Sequence, residues 1–152
     1  MTEDKTIIIY TDGACKGNPG IGGWGALIKN SDNVKELKGF QLDTTNNKME
    51  LIAVIEALKT IDNYISIKIV TDSKYVKNGI SQWILNWKKN GWMTSSKKPV
   101  KNKELWQELD SLVNSFNIEW EWVKGHSGHP GNERADQLAN EAILESSNRN
   151  SA

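Results

Sequence analysis

The chain has 152 residues, enough for one domain with a real core but short for two. Its composition, 38% hydrophobic and 25% charged with a formal net charge of zero, is that of a globular protein, and no stretch reaches the roughly 18 consecutive apolar residues of a membrane span. The lone cysteine, Cys15, has no internal partner, and the polar start Met1-Thr2-Glu3-Asp4-Lys5 lacks the basic and apolar segments of a secretory signal, so a reducing, cytoplasmic location is expected.

Taken in chain order, Ile7-Ile8-Ile9-Tyr10 is a run of β-branched and aromatic residues stopped by Asp12-Gly13, which predicts a strand buried on both faces. The glycine-rich stretch from Cys15 to Gly25, with Pro19 inside it, predicts a turn region. Trp24 to Lys29 and Val34 to Leu42 predict two more strands, which would close an antiparallel meander. Thr44-Thr45-Asn46-Asn47 supplies capping side chains for a helix through Met49 to Leu58, apolar on nearly every side and therefore central. Ile65 to Val70 predicts a short strand ending at Thr71-Asp72-Ser73, with Asp72 or Ser73 capping a helix that Gly79 stops. A further helix is expected over Ser81 to Lys88, then a loop over Gly91 to Pro99. Leu105, Trp106, Leu109, Leu112, Val113 and Phe116 follow helical spacing over 103–115. Ile118, Trp120 and Trp122 alternate with Glu119 and Glu121, the period of a half-exposed strand. A last helix follows Gly131, and residues 146–152 are expected to be a disordered tail to a domain of residues 1–145. The pattern predicts an α/β domain with a mixed sheet and helices on its faces.

Charge is unevenly placed. Lysines 74, 77, 88, 89, 97, 98, 101 and 103 occur with no acidic residue between Lys74 and Lys103, and Trp83, Trp87 and Trp92 lie in the same stretch. A neutral chain with such a local basic, aromatic segment can hold a polyanion there.

Asp12 and Asp72 each follow an apolar strand within a Thr-Asp-(Gly/Ser) triplet. If the strands are parallel neighbours, both carboxylates reach the sheet edge where ligands bind in open α/β sheets. Glu50 falls in the first turn of a buried helix, where a carboxylate needs a partner, and Asp136 lies near the start of the last helix. Carboxylates that converge repel one another unless a cation neutralises them, and oxygen ligands without a Cys/His cluster suit a hard ion such as Mg²⁺. Asp12, Asp72 and Asp136 each also have a plainer reading as a turn former, helix cap or favourable charge at a helix start, whereas Glu50 must be accommodated by a buried helix face; spacing does not establish convergence.

Five strings carry a more specific signal: Tyr-Thr-Asp-Gly-Ala-Cys-Lys-Gly-Asn-Pro-Gly (10–20), Thr-Thr-Asn-Asn-Lys-Met-Glu-Leu (44–51), Thr-Asp-Ser-Lys-Tyr-Val (71–76), Trp-Lys-Lys-Asn-Gly-Trp (87–92) and Trp-Val-Lys-Gly-His-Ser-Gly-His-Pro-Gly-Asn-Glu-Arg-Ala-Asp (122–136). In this order, over about residues 6–143, the chain closely resembles type 1 ribonuclease H, the bacterial form most. The resemblance implies a ribonuclease H-like fold, a five-stranded mixed sheet of order 3-2-1-4-5 with the first three strands antiparallel. It implies an endonuclease that hydrolyses the RNA strand of RNA–DNA hybrids to 5′-phosphate and 3′-hydroxyl ends, using two Mg²⁺ ions, with Mn²⁺ as a possible substitute. Asp12 would bridge both ions, Asp136 would complete the first site, and Glu50 and Asp72 the second. His126 matches a loop histidine that assists proton transfer or product release, whereas His129 is expected to be a solvated side chain.

The resemblance also places Cys15, Lys16, Gly17, Asn18, Thr45, Asn46, Asn47, Lys74 and Asn132 at the substrate. It assigns Trp87, Lys88, Lys89 and Trp92 to a basic protrusion that holds the DNA strand; Trp83 and Trp106 are better suited to the core. The protein is expected to act as a monomer, without a membrane or an obligate protein partner and, lacking a second hybrid-binding domain, with low processivity. Two positions depart from many relatives: Asp43 stands where an arginine holds a DNA phosphate, leaving that pocket weaker or dependent on Lys48, and Lys74 stands where glutamine occurs. Neither touches the four carboxylates.

Rival readings are weaker. Gly20, Gly22 and Gly25 fit G-x-G-x-x-G, but that motif leads into a helix and Trp24 to Lys29 reads as a strand. A transposase or integrase core would share the carboxylate logic but carries DNA-binding extensions. A non-catalytic hybrid-binding module is expected to have lost at least one of the acids.

Overall fold

The computed structural model describes residues 6–17, 19–31, 33–61, 66–124 and 129–150, with side chains in the last span as far as Ser146. Five strands form one sheet in the order β3-β2-β1-β4-β5: β1 (Ile7–Gly17), β2 (Gly20–Asn30), β3 (Asn33–Thr44), β4 (Ser66–Thr71) and β5 (Asn117–Trp122). β1–β2 and β2–β3 are antiparallel, while β1–β4 and β4–β5 are parallel. The helices are α1 (Asn46–Lys59), α2 (Lys74–Asn78), α3 (Ile84–Lys89), α4 (Lys103–Val113) and α5 (Pro130–Asn150). α1 packs on β1 and β2 and is backed by α4; α5 packs on β1, β2 and β3. No helix among the described residues is long and apolar enough to cross a membrane.

The larger core lies between the sheet and α1. Ile7, Ile9, Ala26, Ile28, Ile67 and Ile69 meet Leu51, Val54, Ile55 and Leu58, with Trp106 and Leu109 of α4 closing the layer. α1 is buried on most of its surface, as its all-round apolar sequence predicts. Its N-cap is Thr45, whose hydroxyl accepts from the Lys48 N–H at 3.2 Å.

Several expectations are corrected. β1 does not stop at Asp12-Gly13 but continues to Gly17, and β2 begins at Gly20, so most of the glycine-rich stretch is strand. Its glycines serve close approach: a Cβ at Gly23 or Gly25 would overlap the carbonyl oxygens of Ala139 or Ala135 on α5. β1 is also not sealed on both faces, since Ile8 and Tyr10 are only half-buried.

Gly79 does not stop a helix either. It holds helical dihedrals, φ −64° and ψ −49°, and the Ile84 N–H reaches back to the Gly79 carbonyl, forming a widened turn that carries α2 into α3. A Cβ at Gly79 would run into the Trp106 ring, which accounts for the glycine. The last helix starts at Pro130, a residue suited to a first helical position, and runs past Ser146 to Asn150; Ser146 is itself buried.

Candidate active site

Parallel pairing of β1 with β4 runs from Ile7–Ile67 to Tyr10–Val70. Past that point the strands part. β1 remains paired with β2, where Asp12 faces Gly25, while β4 ends at Thr71 and releases Asp72. The Ser73 hydroxyl caps α2 by accepting from the Val76 N–H at 3.1 Å, so the Asp72 carboxylate is not used as the cap. Side-chain alternation puts Asp12 on the same sheet face as Tyr10, which packs against His129 and Gly131 at the start of α5. Asp12 is thereby turned toward the helix that carries Asp136.

Glu50 arrives from the opposite layer. α1 starts at Asn46, so Glu50 opens its second turn rather than lying in the first, and it is 6% exposed. Its approach depends on Gly13: a Cβ there would stand 2.7 Å from the Glu50 backbone nitrogen and 2.8 Å from the Met49 carbonyl carbon.

One carboxylate oxygen each from Asp12, Glu50 and Asp72 can be chosen so that all lie within 4.8 Å of one another. Asp136 borders the same cleft of about 400 Å³, close enough to help raise the Asp12 carboxyl. Asn140, one turn further along α5, donates to the Asp136 backbone carbonyl at 2.9 Å and to its carboxylate at 3.4 Å. The sequence offered no specific signal for that contact.

The electrostatics are those of a site built for a cation. Burial, followed by repulsion from Asp72 and the contacts with Asp136, pushes the Asp12 carboxyl up to about 8. Burial, then the charges of Asp12 and Asp72, holds Glu50 well above the usual carboxylate range. The Glu50 Oε1 atom is buried without a hydrogen-bond partner. Among the described residues no lysine or arginine pairs with any of the four acids. A cation would satisfy that orphaned oxygen and cancel the repulsion, and an all-carboxylate donor set fits a hard divalent ion.

The other predicted residues fall in several places. Asn46 and Asn47 are exposed and line the acidic cleft together with Lys74. With Thr45, Lys101 and Asn102 they also form a smaller adjoining pocket. Lys16 and Gly17 are exposed at the end of β1, whereas the Cys15 thiol donates inward to the carbonyls of Thr44 and Gly20 at 3.5 and 3.6 Å. Asn132 is 3% exposed, with its Oδ1 buried and unpartnered.

Trp87 and Trp92 are half-buried against the core, their rings 6.1 Å apart, and Trp87 lies 5.5 Å from Trp106. Lys88 pairs with Asp110 at 3.1 Å, while Lys89 is exposed. Trp106 is fully buried, its indole N–H donating to the Tyr75 hydroxyl, and Trp83 is half-buried beside it. Lys48 lines a groove with Gln41, Ile52 and Asn102. His129 is not a freely solvated side chain: it is half-buried against Tyr10, with Nδ1 buried and unpartnered. His126 and Asn18 lie outside the described residues.

A mixed sheet that gathers buried carboxylates where its parallel strands part defines an α/β enzyme with an acidic metal centre. Comparison with known proteins makes this specific. The RNase H family model matches residues 4–144. The chain is 59% identical over 145 residues to the ribonuclease H of Francisella philomiragia subsp. philomiragia, with 95% of each chain covered. Among solved structures it is similar to LC9-RNase H1, described as a type 1 RNase H with the type 2 active-site motif, at 33% identity and a TM-score of 0.84, covering 95% of this chain and 75% of that one. It is also similar to LC11-RNase H1 in complex with an RNA/DNA hybrid, at 26% identity and a TM-score of 0.68, covering 92% of this chain and 98% of that one. The chain belongs to the ribonuclease H family.

Proposed function

We propose that this chain hydrolyses the RNA strand of RNA–DNA hybrids, leaving 5′-phosphate and 3′-hydroxyl ends, with Mg²⁺ held by Asp12, Glu50, Asp72 and Asp136. The observation that carries the reading is the cleft of four acids in which Asp12 and Glu50 are buried and none is neutralised by a described basic residue. Family membership and the hybrid bound by LC11-RNase H1 support the substrate. Two Mg²⁺ ions, or Mn²⁺ in their place, would be held by these four acids and would supply activation of the attacking water and charge stabilisation of the departing 3′-oxygen.

The chain's own residues supply placement. Asp12 is held by the β1–β2 ladder and Glu50 by the close packing of α1 on Gly13, so their carboxylates are fixed before any ion arrives. Asn46 and Asn47 at the cleft rim have amides that can donate and accept, the chemistry needed to read 2′-hydroxyls in the wide minor groove of a hybrid. Cys15, with its thiol turned inward, would act through the backbone at the end of β1 beside Lys16, Gly17 and Asn18. Thr45 would act as the cap that holds Asn46 and Asn47 in place, and Asn132 from its buried position on α5. Trp87, Lys88, Lys89 and Trp92 would engage the DNA strand through phosphate contacts and stacking, and His126 would assist proton transfer or product release. Residues 1–145 form the catalytic domain in this reading.

The test is cleavage of an RNA–DNA hybrid, labelled on either strand, beside RNA–RNA and DNA–DNA duplexes, with Mg²⁺ or with EDTA. Cleavage of the hybrid's RNA strand alone, and only with the metal, is expected. Cleavage in EDTA, or equal cleavage of a homoduplex, would refute the reading.

A further inference from the structure

A second cleft, of about 490 Å³, adjoins the acidic one and is lined by Asp72, Ser73, Lys74, Lys77, Trp122, Val123 and Lys124. Asp72, Ser73 and Lys74 line both, so the two adjoin. Lys74 and Lys77 are three residues apart on α2 and share one face; Lys124 reaches the cleft from just beyond β5. Among the described residues none of these three lysines has an ion-pair partner, whereas Lys38, Lys59, Lys68 and Lys88 all do. The acid that lines the cleft, Asp72, already belongs to the metal cluster, and Trp122 and Val123 supply an apolar wall.

We propose that this cleft holds a backbone phosphate of the cleaved strand next to the scissile one, with Lys77 and Lys124 as its cations and the sugar against Trp122. The inference rests on the function proposed above. A strand whose phosphate lies over the carboxylates must leave the acidic cleft on both sides. One pocket adjoining the acidic cleft is lined by Asn46, Asn47 and Lys101, and the other is this cleft. The alternation of positive, negative and positive suits a polyanion held on either side of a metal centre. Lysine binds phosphate as a point charge and releases condensed counterions on doing so.

The test uses the full chain and a short hybrid, with affinity measured in EDTA over a salt series. The Lys77→Gln/Lys124→Gln double variant is expected to bind about tenfold more weakly and to lose about 0.9 from the slope of log K against log salt for one lost phosphate contact. The Lys77→Arg/Lys124→Arg variant should restore the slope. The wild type should show the same loss on a hybrid carrying one neutral methylphosphonate beside the cut site in the RNA strand, and the glutamine variant should lose nothing further on it. An unchanged slope in the glutamine variant, or a match only with a neutral linkage in the DNA strand, overturns the proposal. The wild-type arm with neutral linkages decides the matter even if the double variant fails to fold. Wild-type cleavage of the unmodified hybrid, run in parallel, separates the two ideas: no cleavage refutes the function, and cleavage with an unchanged slope refutes the subsite alone.

Discussion

A β-carbon at Gly13 would stand 2.7 Å from the backbone nitrogen of Glu50, so the residue after one acid of the cleft sets how closely the helix bearing another can approach. Gly13→Ala should push the start of α1 off the sheet and widen the carboxylate cluster. An overpacking cost of about 1–3 kcal/mol is expected. Mg²⁺ affinity by calorimetry should fall more steeply than thermal stability. A variant with wild-type Mg²⁺ affinity would show that α1 can shift without moving Glu50.

Asp12→Asn should leave only trace cleavage and stabilise the metal-free protein. Removing this carboxylate is expected to slow cleavage on the order of a thousandfold, several kcal/mol of lost charge stabilisation. The pH dependence follows from the direction of the shift. Burial raises the folded carboxyl from 3.8 to about 8, so between these values the folded chain binds a proton that the unfolded chain does not. This group's contribution therefore becomes more unfavourable as pH rises through that window. In EDTA the variant should melt higher than the wild type at pH 8.5, by about 2–4 °C for each kcal/mol gained, with the gap closing toward pH 4. Mg²⁺ should narrow or reverse the gap. Equal melting curves at high pH would mean that Asp12 is not destabilised in the folded chain.

Gly79→Ala should destabilise without touching the chemistry. The added methyl meets the buried Trp106 ring, which is pinned by its hydrogen bond to Tyr75. About 1–3 kcal/mol of lost stability is expected in urea denaturation. The specific activity of the folded fraction should be retained well below the transition.

His126→Ala should slow turnover by up to about a hundredfold, the lower end of a general acid–base contribution, and leave Mg²⁺ affinity unchanged. Single-turnover and steady-state rates measured together distinguish a chemical effect from slowed product release. Complete inactivity would give the histidine a more central part than proton transfer.

Much of this arrangement was legible in the sequence where the signal is local. The alternation in β5, a cap for α1 from within Thr44-Thr45-Asn46-Asn47 and the all-round apolar face of α1 follow from nearest neighbours, and the structure picks Thr45 among the four. The four acids were nameable, but their meeting depends on β1 pairing in parallel with β4 across more than fifty intervening residues, which no local pattern encodes. Glycines misled for a physical reason. Gly23, Gly25 and Gly79 look like turn residues, yet each stands where a helix backbone or an indole leaves no room for a side chain. Likewise nothing in the spacing marks His129 as a packing partner of Tyr10, or Asn140 as a donor to Asp136.

The bare patch that Gly23 and Gly25 leave on β2 has a reach beyond packing. α5 rests its Ala135 and Ala139 carbonyls there, and Asp136 lies between those two contacts. The fourth acid thus takes its height above the sheet from two positions that contribute no atoms to the cleft. Bulk added at either would lift the helix like a shim under a bracket, and the damage would surface as a poorly seated ion rather than as a broken strand.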